Sequence, residues 1–213
     1  MTYDMAWLRD RFAGTWAQAT EAIYCDPEEA LPAAAKQRPA SVLVPVILRD
    51  DPTVLFTVRA SHLRNGAGQI SFPGGRAEAT DPSPEHTALR ETFEEIGLPA
   101  GQVEVIGRLG HYVSRNGHGI TPVVGVVQPP LTLRQNADEV AEIFEVPLTF
   151  LLDPANHLRH TQQSYGRLRS YFAIQYQDYY IRGVTAGLLV NFHRHVMGSL
   201  DKQSSAVGGS TRK

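Results

Sequence analysis

Gly75–Leu98, GRAEATDPSPEHTALRETFEEIGL, decides how this chain is read. Ser83 stands where a helix N-cap is expected, with Pro84 at the first helical position, and Gly97 followed by Pro99 marks a stop. The spacing predicts a helix of about 13 residues, from Pro84 to Ile96. At about 100° per residue, Leu89, Phe93 and Ile96 share one side and are expected to face a core. Glu91, Glu94 and Glu95 fall together on the opposite side. Like charges at helical spacing cost about 0.2–0.5 kcal/mol per pair. Carboxylates in the last turn also oppose the helix dipole, by about 0.3–1 kcal/mol each. Arg90, four residues before Glu94, offsets part of this. Two readings of the remainder stay open: a solvated acidic face, or oxygen ligands gathered for a hard divalent ion such as magnesium or manganese.

The flanks of this helix add to the second reading. Phe72-Pro73-Gly74-Gly75 is a turn with two residues able to take positive φ, which lets a phosphate-bearing ligand approach the backbone amides and a metal. Upstream, SVLVPVILRD (41–50) and TVLFTVRA (53–60) read as strands separated by Asp50-Asp51-Pro52. Pro45 predicts an edge position or a bulge in the first of them. Downstream, VEVIGRLGHYV (103–113), ITPVVGVVQ (120–128) and IFEVPLTFLL (143–152) read as strands or strand-to-helix segments. A helix from about Asp4 to Ile23 and an irregular Pro/Ala stretch to about Pro39 come first, and a C-terminal helix begins near Gly183 or Thr185. Strands around one central helix, with another at the end, predict a mixed α/β domain. The expected division is an N-terminal helix and irregular extension (1–38), the domain itself (39–198), and a flexible tail (199–213) with too little apolar content to order itself.

Composition narrows the function classes. A net charge of -2 over 213 residues argues against a broad nucleic-acid surface. No apolar run approaches the roughly 20 residues of a membrane span, and MTYDMAWLRDRF carries acids that do not suit a signal or transit peptide. Cys25 is the single cysteine, so no disulfide framework is expected. These features predict a cytoplasmic enzyme or binding domain. His193 and His195 fall on different faces of the last helix, which excludes a shared metal site there. GAGQIS and GHGITPVVG lack the full Gly-rich dinucleotide fingerprint.

Gly75 and the run Arg90-Glu91-Thr92-Phe93-Glu94-Glu95-Ile96-Gly97-Leu98 resemble the Nudix hydrolase box. That pattern is Gly, five residues, Glu, seven residues, Arg-Glu, a hydrophobic residue, any residue, Glu-Glu, any residue, Gly and a hydrophobic residue. Thr92 departs from it, as does Asp81, which stands where Glu is usual and is separated from Arg90 by eight residues and not seven. The departure leaves Asp81 in doubt as a functional position. LFTVRASHLRNGAGQISFPGG (55–75) is similar to the signature of the Nudix branch that hydrolyses coenzyme A. The match runs through Leu55, Thr57, Arg59, Ala60, Arg64, Gly68, Phe72, Pro73, Gly74 and Gly75.

The resemblance implies an α/β/α sandwich with a mixed sheet and a loop-helix-loop motif. It implies water attack on a diphosphate, with Mg2+ or Mn2+ as cofactor. For coenzyme A the products are 4′-phosphopantetheine and adenosine 3′,5′-bisphosphate. Glu91 and Glu95 are then the principal metal ligands, and Glu94 is a further ligand or a partner oriented by Arg90. From Asp138, Glu139, Glu142 and Glu145, Glu139 is the expected fourth ligand or general base. Arg59 and Arg64 are expected on substrate phosphates, Arg64 foremost, with Gly74 and Gly75 close to them. A homodimer stays open. The alternatives are a Nudix hydrolase of another nucleoside diphosphate derivative and a Nudix-like domain that binds a nucleotide without cleaving it.

Overall fold

The computed structural model describes residues 3–13, 37–113, 118–164 and 167–207. Its main sheet has eight strands: β1 (Arg38–Ile47), β2 (Thr53–Arg59), β3 (Ile70–Ser71), β4 (Gly74–Arg76), β5 (Val103–Arg108), β6 (Tyr112–Val113), β7 (His118–Val127) and β8 (Val140–Pro147). The central path runs β3-β2-β1-β7-β5, with β4 on β1, β6 on β7 and β8 on β2. β1 and β7 are parallel along their whole length, from Arg38↔His118 to Ile47↔Val127, and every other pairing is antiparallel. The sheet is therefore mixed, as the sequence predicts.

Side-chain alternation explains why β1, β2 and β7 read as almost continuous apolar runs. Val44, Val46, Val54, Phe56, Val124 and Val126 bury on one face, while Leu43, Ile47, Leu55, Val123 and Val127 bury on the other. Both faces of this sheet are covered. Helix α2 (Pro84–Ile96) packs on the second face through Ala88 and Ile96. The first face is covered by α1 (Met5–Phe12), α3 (Leu148–Leu151) and α4 (Val184–Val207). A second sheet, β9 (Leu158–Ser164), β10 (Arg167–Tyr176) and β11 (Tyr179–Arg182), contributes Ile174 and Ile181 to that same side. Helices on both sides of a mixed sheet make the expected α/β/α sandwich.

Pro45 corrects one expectation. It lies in an interior strand, opposite Gly125 of β7, and not at an edge. On its other side β1 pairs first with β4, at Ala40–Val42, and then with β2, at Val46–Ile47. Leu43 donates its amide to Pro73 O on that same side. By alternation residue 45 would donate in the same direction, into the gap where one partner strand gives way to the next. The missing N–H of proline leaves no ladder bond broken there.

The N-terminal helix is shorter than predicted. Asp4 accepts from the Trp7 amide and starts it, and Ala13 leaves it with extended dihedrals, φ -60 and ψ 120. Leu8 and Phe12 are fully buried against α4 and the sheet, which makes α1 part of the core. The predicted continuation to Ile23, the Pro/Ala stretch and Cys25 lie outside the described residues. Helix α4 starts where expected but runs on to Val207, into the segment expected to be a tail. No helix among the described residues is long and apolar enough to cross a membrane.

Candidate active site

Helix α2 has the predicted limits. The Ser83 side chain accepts from the His86 amide, and Gly97 closes the helix in the left-handed region at φ 69, its amide donating to Phe93 O. The buried face is only partly the predicted one: Ile96 is buried and Leu89 packs against the core, but Phe93 does not. Thr87, Ala88, Thr92, Glu95 and Ile96 are buried, whereas the Phe93 ring is 56% exposed. The Thr92 hydroxyl satisfies itself on Ala88 O at 2.6 Å, so a hydroxyl fits where the apolar pattern fails. Glu95 therefore does not share a solvated face with Glu94. It is only 3% exposed, while the Glu94 side chain is half exposed.

The turn before the helix is built to accept two carboxylates. Gly74 takes φ 147 in β4, and a Cβ there would run into the Ser41 carbonyl and Val42. Its amide donates to Glu95 Oε2 at 3.2 Å. A Cβ on Gly75 would collide with the Glu91 carboxylate. The two glycines thus receive the two acids that lie one helical turn apart. The Gly74 amide, expected to face a ligand phosphate, is engaged by Glu95 instead.

Burial pushes the Glu95 carboxyl up to about 8. The Gly74 amide and the Arg59 guanidinium, 4.0 Å away, pull it back, and the charges of Glu139 and Glu91 push it further up. Desolvation also raises Glu91, partly countered by Arg90 and reinforced by Glu94 and Glu139. Glu91, Glu95 and Glu139 are thus near enough to repel one another, although they come from two elements far apart in the chain.

Arg90 and Asp81 hold the exposed side of this cluster. The Arg90 guanidinium donates to both carboxylate oxygens of Asp81 at 3.0–3.1 Å, to Glu94 and Glu91 at 3.1 Å each, and to Arg76 O at 3.0 Å. Asp81 also accepts from the Glu78 amide, from His86 Nδ1 and from the Thr87 hydroxyl, all at 2.9 Å. The Arg90 guanidinium above all, then the Glu78 amide, holds the Asp81 carboxyl well below the usual carboxylate range. Asp81, left in doubt by the sequence, thus fixes the Arg90 guanidinium. The signal was present, an acid separated from Gly75 by five residues, and the extra residue before Arg90 obscured it.

Glu139 arrives on the segment that caps α2. Arg134 and Asn136 donate their amides to the carbonyls of Ile96 and Glu95, both at 2.9 Å, satisfying the end of the helix. Asn136 O then accepts from the amides of Glu139 and Val140, and Ala60 at the end of β2 donates to Glu139 O at 2.9 Å. The other three acids of this stretch point elsewhere. Asp138 is exposed, with its carbonyl on His62 Nε2. Glu142 takes the Tyr179 hydroxyl, and Glu145 binds Arg49 and Thr53.

The two arginines expected on phosphates separate as well. Arg59 faces Glu95, and its loop folds back on it: its amide donates to Gln69 O and its carbonyl accepts from the Gly68 amide. Arg64 is exposed, and among the described residues no ion pair engages it. Of the two, Arg59 is the one with an ion pair to the acids.

The donor set suits a divalent cation. All four acids offer hard oxygen ligands, and a buried carboxylate with its pKa pushed to about 8 and further acids around it is only partly compensated by Arg59. Among the described residues no three acidic, histidine or cysteine side chains are already drawn together as a coordination shell. Glu95 leans on Gly74, and Glu91 and Glu94 lean on Arg90.

A family model described as "NUDIX domain" matches residues 37–164. The proteins named "Uncharacterized Nudix hydrolase NudL" of Salmonella newport (strain SL254) and of Salmonella enteritidis PT4 (strain P125109) are each 43% identical over 155 residues, covering 72% of this chain and 80% of theirs. Among solved structures, a MutT/nudix family protein from Enterococcus faecalis aligns over 92% of this chain and 76% of its own, at 16% identity and a TM-score of 0.48. The NUDIX domain of Shewanella oneidensis NrtR, solved with ADP ribose, covers 60% of this chain and 80% of its own, at 21% identity and a TM-score of 0.41.

Proposed function

The chain belongs to the Nudix hydrolase family, and from that premise we propose that it hydrolyses the diphosphate of coenzyme A or a derivative, releasing 4′-phosphopantetheine, free or acylated, and adenosine 3′,5′-bisphosphate. One observation carries the chemistry: the buried Glu95, with Glu91 and Glu139 around it, held against the Gly74-Gly75 turn. The substrate assignment is supported by the segment from Leu55 to Gly75. Its residues place Arg59 beside Glu95 and tie Ala60 to Glu139.

A diphosphate is anionic and repels a nucleophile, so neutralising and orienting it supplies most of the rate. Glu91 and Glu95 are the residues to hold Mg2+ or Mn2+, with Glu94 and Glu139 completing the oxygen donors. A divalent ion bound there adds positive charge at the phosphate oxygens and acidifies a water. Arg59 adds a guanidinium on the β2 side of the acids, matched to phosphate geometry. Glu139 is the base that takes the proton from the attacking water. Arg90, fixed by Asp81, keeps Glu91 and Glu94 from swinging to solvent.

Incubating the protein with coenzyme A and Mg2+ and identifying the products tests this reading. Appearance of adenosine 3′,5′-bisphosphate supports it. Cleavage of ADP-ribose or a dinucleotide in its place moves the substrate assignment within the family, and binding without turnover removes the hydrolase reading.

A further inference from the structure

The exposed Phe93 has no role in the chemistry above, and it does not stand alone. It forms one wall of a groove of about 630 Å³ whose other walls are Glu94, Arg134, Gln135 and Asn136. The volume is in the range of small-molecule sites. The far wall is rigidly placed: the Arg134 and Asn136 amides bond the last carbonyls of α2, and the Arg134 backbone would lie 3.2 Å from a Cβ on Gly97. We propose that this groove seats the adenine ring of the nucleoside half of the substrate. The proposal rests on the reading of the substrate as a nucleoside diphosphate derivative, but not on coenzyme A in particular.

Three features select this occupant. The Phe93 ring, 56% exposed, offers a flat apolar surface for stacking a base. Gln135 spends its amide nitrogen on Val140 O at 2.7 Å, which leaves its side-chain oxygen as an acceptor. Asn136 spends its side-chain oxygen on the Asp138 amide at 3.2 Å, which leaves its amide nitrogen as a donor. One acceptor beside one donor complements the amino group and ring nitrogen of adenine. The Glu94 carboxylate in the wall disfavours a bare phosphate. Among the described residues no ion pair engages Arg134, whose guanidinium is left for the sugar-phosphate end. Glu94 belongs both to the groove wall and to the Arg90 network that holds Glu91, which sets the groove beside the acids.

Calorimetric titration of the full chain with adenosine 5′-monophosphate, in EDTA so that no turnover intervenes, tests the site. The expected result is saturable binding that Phe93→Ala weakens about tenfold or more, with Phe93→Tyr restoring it. Inosine 5′-monophosphate, which inverts the donor-acceptor edge, is expected to bind about tenfold more weakly than the adenosine nucleotide. With the cleaved substrate, whichever diphosphate it is, Phe93→Ala is expected to lower kcat/KM by the same factor. Absence of adenosine monophosphate binding, equal affinity for both nucleotides, or binding and kcat/KM indifferent to Phe93→Ala overturns the proposal. Failure of coenzyme A as a substrate, with Phe93-dependent nucleotide binding intact, overturns only the coenzyme A reading. Thermal melts of the Phe93 variants serve as the folding control, because the ring is exposed.

Discussion

Replacing Glu95 by glutamine is expected to stabilise the metal-free protein while destroying its activity. The ordinary glutamate value of 4.5 is pushed to about 8 at Glu95. At about 1.4 kcal/mol per pH unit, ionising this buried group costs the fold up to about 5 kcal/mol at pH 8. Between the two values the folded protein keeps a proton that the unfolded chain has released. Stability of the metal-free wild type therefore falls as pH rises through that window and levels off above it. Glutamine has no charge to bury, and its side-chain oxygen can still accept from the Gly74 amide. A gain of a few kcal/mol corresponds to a melting temperature about 10 °C higher for a chain of this size. The assay is thermal denaturation in EDTA from pH 5 to 9, followed by product release with Mg2+. A wild type whose melting temperature is flat across that range, or a Glu95→Gln protein no more stable at pH 8, refutes the reasoning. So does substantial turnover by the mutant.

Three further substitutions probe the same geometry. Gly75→Ala forces the Glu91 carboxylate out of its place, and displacement by about an ångström is expected to cost about 100-fold in kcat with little change in circular dichroism. Asp81→Asn releases the Arg90 guanidinium and is expected to weaken Mg2+-dependent activity by about 10- to 100-fold. The Asp81 carboxyl is depressed, so its contribution to stability is complete at neutral pH. The difference in melting temperature between Asp81→Asn and wild type is expected to vanish as the pH falls below the usual carboxylate range. Glu139→Gln is expected to lower kcat by about 100-fold or more. Unchanged kinetics remove Glu139 as the base, and Glu142 does not replace it easily, being held by Tyr179.

Local chemistry made the limits of α2 legible, because Ser83, Pro84 and Gly97 each fix a backbone geometry without help from the rest of the fold. The buried face was not legible for the same helix. Periodicity assigns Phe93 to the core and Glu95 to water, and the structure does the reverse because a polar site occupies the centre of the packed face. Glu139 was singled out from four acids by the family resemblance and not by its own surroundings in the sequence, since the segment's conformation is set by amides reaching the end of a helix about 40 residues earlier. β9 to β11 escaped notice because LRHTQQS shows no apolar alternation. Their pairing depends on a hairpin in which Gln177 takes φ 49, a conformation that nothing in its side chain announces.

The stretch from Arg134 to Glu139 also behaves as a ruler. Its start is pinned to the carbonyls of α2 and its end to Ala60, so the six positions measure out the distance between a helix terminus and the carboxylate proposed as the base. Side chains along it are free to change, and with them the kinds of molecule accommodated beside Phe93. An inserted or deleted residue would misplace Glu139 at once. Diversification of this enzyme by exchange of identities is therefore open along that segment, whereas diversification by change of length is confined to the chain before it.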